Sequence, residues 1–474
     1  MTPVHGNVGP IVGIDFGTSK TMVAEYHPAK HHAKIHKLGR GGDEMPTSMY
    51  VSSEGVVCYG DEADVEGLDD AQNHIRCFKR LLGTGTLTKF GTKKATPTDL
   101  AADFLSHIRQ RLESEVFHRP VHHLVLTVPA IFGPAQREDL TCAARRAGFK
   151  EVELLQEPVA AGIAYCDHHS DLSQDLRFLV VDWGGGTFDL ALVERKGANE
   201  CRILNEYIDG ATDIGGEDLD DDLWEAASGM VVAAGFPALD HQPKQHWGRY
   251  RRELTRTKER LSTVDEVPAS FTLDKDKLAR IPIRRAKLEE VFSEKIQRGA
   301  RQVANLVARC RKANLAPDFI LLAGGTSRIP MIARILEKTA GLQCRSWSEG
   351  RDAIALGAAI HASKLWTENS DHKCHTINQI KNIMRADQGI VGWDWDGIGY
   401  ENREFEISFD PPFSKPPIVQ TSIQMLDAWS ERDHTVRYWT QAKIILCDKA
   451  TIYIGTWNNN KLGGCKISWL ALGE

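Results

Sequence analysis

The chain has no run approaching the roughly eighteen apolar residues of a membrane-spanning helix, and no membrane span is expected in its 474 residues. It also lacks a surplus of positive charge. Lysine and arginine total 58 against 64 acidic residues, a net charge of −6. The field that non-specific nucleic-acid binding demands is missing, and no nucleic-acid partner is expected. The ten cysteines include no C-x-x-C pair and no zinc-ligand spacing, so they read as reduced, mostly structural thiols. Residues Met1 to Pro10 lack a basic segment followed by a long apolar one, which argues against a secretory signal and for a cytoplasmic address. His27, His31, His32 and His36 cluster, but their spacing fits no strong metal site and Lys30, Lys34 and Lys37 would repel a cation. A solvated hairpin edge is the expectation there.

What is present is an ordinary globular composition, 42% hydrophobic and 26% charged, in a chain long enough for two or three compact units. Residues 11–16 (IVGIDF) form an apolar run, GTSK turns sharply, and TMVAEY alternates as a second strand. The figure returns at 178–194, where FLVVDW is followed by GGGT and then FDLALVE. Two matched lobes follow from this duplication. A third strand, within FILLAGGTS at 319–327, leads through glycines into the helical MIARILEKTAG. The stretch 284–312 places Leu288, Val291, Phe292, Ile296, Val303, Leu306 and Val307 near one helical face. Beyond Trp366 the polar TENSDHKCHTINQ reads as a linker, 367–388, before a segment rich in alternating runs that holds six of the 11 tryptophans. That segment, 389–474, is expected to be a small antiparallel β-sandwich.

A glycine directly after a strand lets backbone N–H groups approach a phosphate, a neighbouring hydroxyl adds a donor, and a nearby aspartate can hold magnesium through water. Asp15-Phe16-Gly17-Thr18-Ser19-Lys20 and Asp182-Trp183-Gly184-Gly185-Gly186-Thr187 supply all three features twice. One copy alone is more often plain turn chemistry. Two copies, joined by Gly324-Gly325-Thr326, point to two lobes clamping a nucleoside triphosphate, with the third loop beneath the nucleoside.

GIDFGTS, FKRLLG, LTVPAIFGPAQRE, LLQEPVAAGIAY, VVDWGGGTFDLALVE, IGGEDLDDDL and LLAGGTSRIPMI occur in the order of the nucleotide-binding domain of the seventy-kilodalton heat-shock chaperones, which residues 9–366 resemble. The resemblance implies the α/β, two-lobed, actin-like ATPase fold, in which a ribonuclease H-like motif is duplicated. It further implies ATP or ADP and magnesium as cofactors. Asp15 and Asp182 would face the metal through water, and Gly17, Thr18, Ser19, Gly184, Gly185, Gly186 and Thr187 would hold the β- and γ-phosphates. Lys79 matches the family's catalytic lysine and Glu157 the acid beside it, although alone they read as a surface lysine and a salt-bridge partner. Gly216, Gly324, Gly325 and Arg328 match positions around the adenosine, and Lys258 and Ser262 positions that contact ribose and base. Thr255 and Glu259 stand where an acid and a base are usual, Arg351 and Asp352 replace an acidic pair, and Lys20 replaces a polar residue. These departures bear on nucleotide affinity, base choice and rate of hydrolysis.

FDPPFSKPPIVQTSIQMLDA and ATIYIGTWNNNKLGGCKISWLALG resemble the H-type lectin domain, a six-stranded antiparallel β-sandwich that usually binds N-acetylgalactosamine and assembles as trimers or hexamers. Trp457 and Asn458, with Glu401, are the sugar-contact candidates, while Trp439 and Trp469 read as core. Asn458 replaces a histidine, Thr435 an arginine, and Gly463 an aromatic residue, so both a sugar-binding and a protein-binding sandwich stay open. The favoured expectation is a chaperone-like ATPase whose lobe motion controls a module binding a glycan, a glycoprotein or a protein client. The alternatives are a non-hydrolysing ATP-binding scaffold that presents the sandwich, and a small-molecule kinase on the same fold.

Overall fold

Apolar runs that end in aspartate and a glycine turn set the frame of the first half. In the computed structural model β1 (Ile11–Phe16) turns back into β2 (Lys20–His27), which pairs in turn with β3 (His32–His36). On its other side β1 pairs in parallel with β4 (His123–Val128), and β4 with β5 (Glu151–Gln156). The second sheet repeats this plan. β6 (Leu176–Trp183), β7 (Phe188–Lys196) and β8 (Glu200–Ala211) are antiparallel neighbours, and β9 (Phe319–Ala323) and β10 (Cys344–Ser346) extend β6 in parallel. The orders β3-β2-β1-β4-β5 and β8-β7-β6-β9-β10 are the same path twice, so the duplication read from the two Asp-x-Gly turns is present in the topology. The structure describes residues 9–27, 32–40, 42–169, 175–196, 200–273, 277–346, 352–368, 385–393, 402–409, 418–429, 438–443, 449–456 and 461–473.

Helices cover the sheets and make two cores. α1 (Pro97–Arg111) begins at Thr96, whose hydroxyl accepts from the Asp99 N–H while Asp99 accepts from the Thr96 N–H, a reciprocal cap. It buries Leu100, Phe104, Leu105 and Ile108 in the first core, which also takes in α2 (Pro134–Arg146). α3 (Glu157–His168) leaves β5 with proline in its first turn. The second core is formed by α4 (Gly216–Ala233), α5 (Trp247–Leu261), α6 (Arg285–Lys312) and α7 (Pro330–Ala340) against β6, β7 and β9. In α6, Leu288, Phe292, Ile296, Val303, Leu306 and Val307 are buried as expected, with Val291 packed at their margin. A third cluster joins Val125 of β4, Phe178 of β6, Phe319 of β9, α3 and α8 (Ala353–Ser363) between the sheets.

The histidine edge differs from expectation at one residue. β3 is an edge strand, but His36 is only 5% exposed, packed edge-on against Phe117 with Glu25 3.5 Å away. Alternation places His36 on the same face as the exposed His32 and Lys34, with Ala33 and Ile35 on the face that packs against the core; His36 is buried because Phe117 lies against the end of the strand. His27 pairs with Glu25 at 2.6 Å, and His31 lies outside the described residues.

The chain divides into Met1–Thr367 and Glu368–Glu474. The second unit contains β11 (Arg385–Trp393), β12 (Asn402–Ser408), β13 (Ile418–Trp429), β14 (Tyr438–Lys443), β15 (Lys449–Thr456) and β16 (Lys461–Gly473). They form two three-stranded antiparallel sheets, β11-β16-β13 and β12-β15-β14. Ile407, Phe409, Ala450, Ile452 and Ile467 are buried. Exposed Glu404, Glu406 and Ser408 alternate with the half-buried Phe405 and buried Ile407, the pattern of a strand with one covered face. β11 begins inside the stretch read as linker. Glu401, Thr435, Trp457 and Asn458 lie outside the described residues, as do the side chains of Trp439 and Trp469.

Candidate nucleotide site

The two hairpin turns read from the sequence meet face to face. Gly17–Ser19 connect β1 to β2, and Gly184–Thr187 connect β6 to β7, closed by the Gly184 N–H donating to the Thr187 carbonyl at 3.0 Å. A Cβ placed on Gly185 would lie 2.1 Å from Ser19 Oγ, and one on Gly186 would lie 2.3 Å from Thr18 Oγ1. Only glycine allows this approach. The third loop is locked onto the second. Gly324 has φ +78°, and a Cβ there would lie 2.5 Å from Asp182 Oδ1, while Thr326 Oγ1 donates to the Gly184 carbonyl at 2.9 Å.

The start of α4 completes the cradle. Gly216 and Glu217 donate their N–H groups to the carbonyls of Gly184 and Gly185 at 3.0 and 2.8 Å. Lys258 Nζ bonds the Gly216 carbonyl at 2.8 Å and Asp220 at 2.8 Å, and Thr255 donates to the same carboxylate at 3.0 Å. Thus Thr18, Ser19, Gly184–Gly186, Gly216, Gly324 and Lys258 are brought together. Ser262 lies one turn beyond Lys258 as the C-cap of α5, and Arg328 closes the 3-10 turn that follows Gly325.

Behind the loops lies a concentration of carboxylates around one ammonium. Lys79, 2% exposed, sits in the tight Phe78–Leu81 turn, entered through Cys77 at φ +55°, a conformation that costs a non-glycine residue energy. Its Nζ meets Glu157 Oε1, on the first residue of α3, at 2.8 Å, with the rings of Phe16 and Phe132 5.8 and 5.6 Å away. Thr127 donates to Asp15 at 3.3 Å, and Ile131 N–H donates to Asp189 at 3.1 Å. Burial and then the Glu157 charge push the Asp15 and Asp189 carboxyls up to about 7, and burial, Glu157, Asp189 and Asp15 push Asp182 up as well. Asp15 keeps partial solvent contact, so burial weighs most heavily on Asp182 and Asp189, at 3% and 0% exposure.

These groups suit a hydrated divalent cation held partly by phosphate. Hard oxygen donors are the natural ligands of magnesium, which usually keeps several waters and takes one or two carboxylates. Among the described residues no group of three or more His, Cys, Asp or Glu is arranged to hold a metal directly. Asp189 Oδ2, buried without a hydrogen-bond partner, is an acceptor that a bound water or cation would satisfy.

Three participants escaped the sequence reading. Asp189 interrupts the apolar FDLALV strand, and that one polar residue was its only signal; Thr127 and Glu217 carried none. Glu217 accepts from Ser19 Oγ at 2.8 Å and faces Arg76 at 3.5 Å, so it ties the lobes across the cleft mouth. Lys20 does the same between Glu44 at 2.8 Å and Glu259 at 3.2 Å. The unusual lysine and the unusual acid therefore partner each other. Such half-exposed pairs contribute roughly 0.2–1 kcal/mol, and Lys20→Ala is expected to speed nucleotide release about two- to five-fold, read by displacement of a fluorescent ADP. An unchanged release rate would show that the pair carries no closure energy.

Two lobes of repeated topology, closing glycine turns upon a shared acidic centre, define a two-lobed α/β protein of the actin-like class. The chain belongs to the Hsp70 protein family, whose model matches residues 11–378. Residues 404–472 match the H-type lectin domain. The chain is 28% identical over 379 residues to the chaperone protein DnaK of Thermoplasma volcanium, covering 76% of this chain and 59% of that relative. It is 29% identical over 371 residues to the chaperone protein DnaK of Methanothermobacter thermautotrophicus, covering 76% and 61%. It thus spans little more than half the length of these relatives. No helix among the described residues is long and apolar enough to cross a membrane.

Proposed function

We propose that residues 9–366 form an ATP-binding, magnesium-dependent switch of the chaperone type, and that its nucleotide state controls a lectin-like sandwich at 389–474. The observation that carries this reading is the convergence of the Thr18–Ser19 and Gly185–Gly186 turns in front of the buried Lys79–Glu157 pair. Phosphoryl transfer to water needs positioning and charge neutralisation more than covalent chemistry, and these groups supply both. Bound magnesium would neutralise phosphate charge. Asp15 and Asp182 would hold its waters, Thr187 and the glycine turns would orient the β- and γ-phosphates, Lys79 would face the γ-phosphate, and Glu157 fixes the lysine. Gly216, Lys258, Ser262, Gly324, Gly325 and Arg328 form the nucleoside side.

The second unit's two antiparallel sheets support a sandwich whose sugar-contact set is Glu401, Trp457 and Asn458. A glycan, a glycoprotein or a protein client is the partner class, and this chain acts in the cytoplasm as a trimer or hexamer assembled through the lectin-like unit. The cross-cleft ties of Ser19 and Lys20 favour one second reading, a scaffold that holds ATP without turning it over. Calorimetry with magnesium-ATP and a phosphate-release assay on the same sample separate the two: heat and phosphate support the switch, heat alone the scaffold, and neither overturns both. A glycan array probed with and without ATP tests the coupling. Trp457→Ala is expected to abolish array binding while ATP turnover stays unchanged; retained glycan binding would remove Trp457 from the sugar site.

A further inference from the structure

Cys166 and Cys201 are 35 residues apart in the chain, yet their sulfurs lie 3.2 Å apart. Cys166 is on the last turn of α3, 3% exposed, and Cys201 is half-buried near the start of β8, the edge strand of the second sheet. The Cys201 thiol donates to the Cys166 sulfur. Arg195 is the cross-strand partner of Cys201 and is fully buried. Its charge and that of Lys364 face the pair, opposed by Asp167. The Cys201 hydrogen bond and then these two cations hold the Cys166 thiol below its ordinary range in spite of burial, whereas Cys201 is pushed up. Cys166 is thereby the more readily ionised of two sulfurs in contact and Cys201 the one that donates, the asymmetry that a sensing and a resolving cysteine require. A disulfide needs sulfurs about 2.05 Å apart, and closing the remaining distance takes a shift of roughly 1 Å.

We propose that Cys166 and Cys201 are a reversible oxidation site for a hydroperoxide, forming a disulfide that pins helix α3 to the edge of the second sheet. The Cys166 thiolate attacks the peroxide oxygen, the O–O bond breaks, and the alcohol or water leaves with a proton, which gives a sulfenic acid at Cys166. The Cys201 sulfur then attacks the Cys166 sulfur. The S–S bond forms, the S–O bond breaks, and water departs with the Cys201 proton. Two thiols are oxidised by two electrons, and the peroxide is reduced by the same two. The consequence is mechanical, because α3 starts at Glu157 and packs in the cluster between the two sheets. A covalent tie near its far end fixes the helix to one lobe.

The test uses the full chain, hydrogen peroxide in graded amounts, alkylation of the remaining thiols and peptide mapping. The expected result is a 166–201 cross-linked peptide that forms at lower peroxide than oxidation of exposed Cys142 and disappears on reduction. Cys201→Ala should leave a sulfenic acid at Cys166 that dimedone captures, and Cys166→Ala should leave Cys201 unmodified. Oxidation of Cys142 without the 166–201 peptide, or Cys201→Ala without dimedone at Cys166, would overturn the proposal. The wild-type map stands even if a variant fails to fold.

Discussion

Lys79→Ala is expected to lower the single-turnover rate of ATP hydrolysis by roughly 10²–10³-fold, the range seen when one preorganised charge or donor is removed from a buried site. Magnesium-ATP affinity should change only a few-fold, because the backbone turns that grip the phosphates are untouched. The substitution has a second effect. Lys79 is the cation beside Glu157 in a site that also gathers Asp15, Asp182 and Asp189. Deleting one member of a buried pair leaves an uncompensated charge and costs about 3–5 kcal/mol. A bare loss of activity would therefore confuse chemistry with unfolding. Lys79→Ala combined with Glu157→Gln separates them, since it removes both charges and should recover most of the melting temperature while turnover stays low. Phosphate release equal to wild type in either folded variant would remove Lys79 from the catalytic site.

What was legible in the sequence is what repeats locally. An apolar strand that ends in aspartate and turns on glycine announces itself within a dozen residues, and both hairpins and the face of α6 followed from such short-range patterns. The cross-lobe contacts did not. Ser19 and Glu217 are 198 residues apart, Lys20 and Glu259 are 239, and each pair is created by the closure of one lobe on the other. Lys20 and Glu259 stood out only as two separate departures from a family pattern; that they face each other is a property of the fold. Asp189 was hidden for a different reason. Its strand is buried on both faces, so alternation gave no rule for the one charged residue. His36 differs from its neighbours for a tertiary reason: the pleat groups it with the exposed His32 and Lys34, and only the packing of Phe117, 81 residues away, covers it.

The acidic centre also dictates how nucleotide-free protein responds to pH. Asp15 and Asp189 titrate near 7 in the folded chain, and Asp182 is raised with them, whereas an unfolded aspartate titrates near 3.9. Between those values the folded state holds protons that the unfolded state has released. These groups therefore cost progressively more stability as pH rises above the unfolded value, and for Asp15 and Asp189 the cost levels off above about 7. Every tenfold gain in a carboxyl's proton affinity on folding corresponds to roughly 1.4 kcal/mol. His107, lowered to about 4 by burial and Arg111, works in the opposite direction between about pH 4 and 6.5. The difference between wild type and Asp182→Asn isolates the acidic centre. Asp182→Asn is expected to melt several degrees higher than wild type at pH 7.5 and by a smaller margin at pH 5, in calorimetry without nucleotide. Magnesium-ATP should reverse the ranking, since wild type offers an ionised carboxylate to the hydrated metal and is stabilised in proportion to the logarithm of ligand over Kd. A variant that melts lower than wild type at both pH values without nucleotide would mean that Asp182 is a net stabilising partner of the fold, and the acidic centre would then not be strained in readiness for a cation.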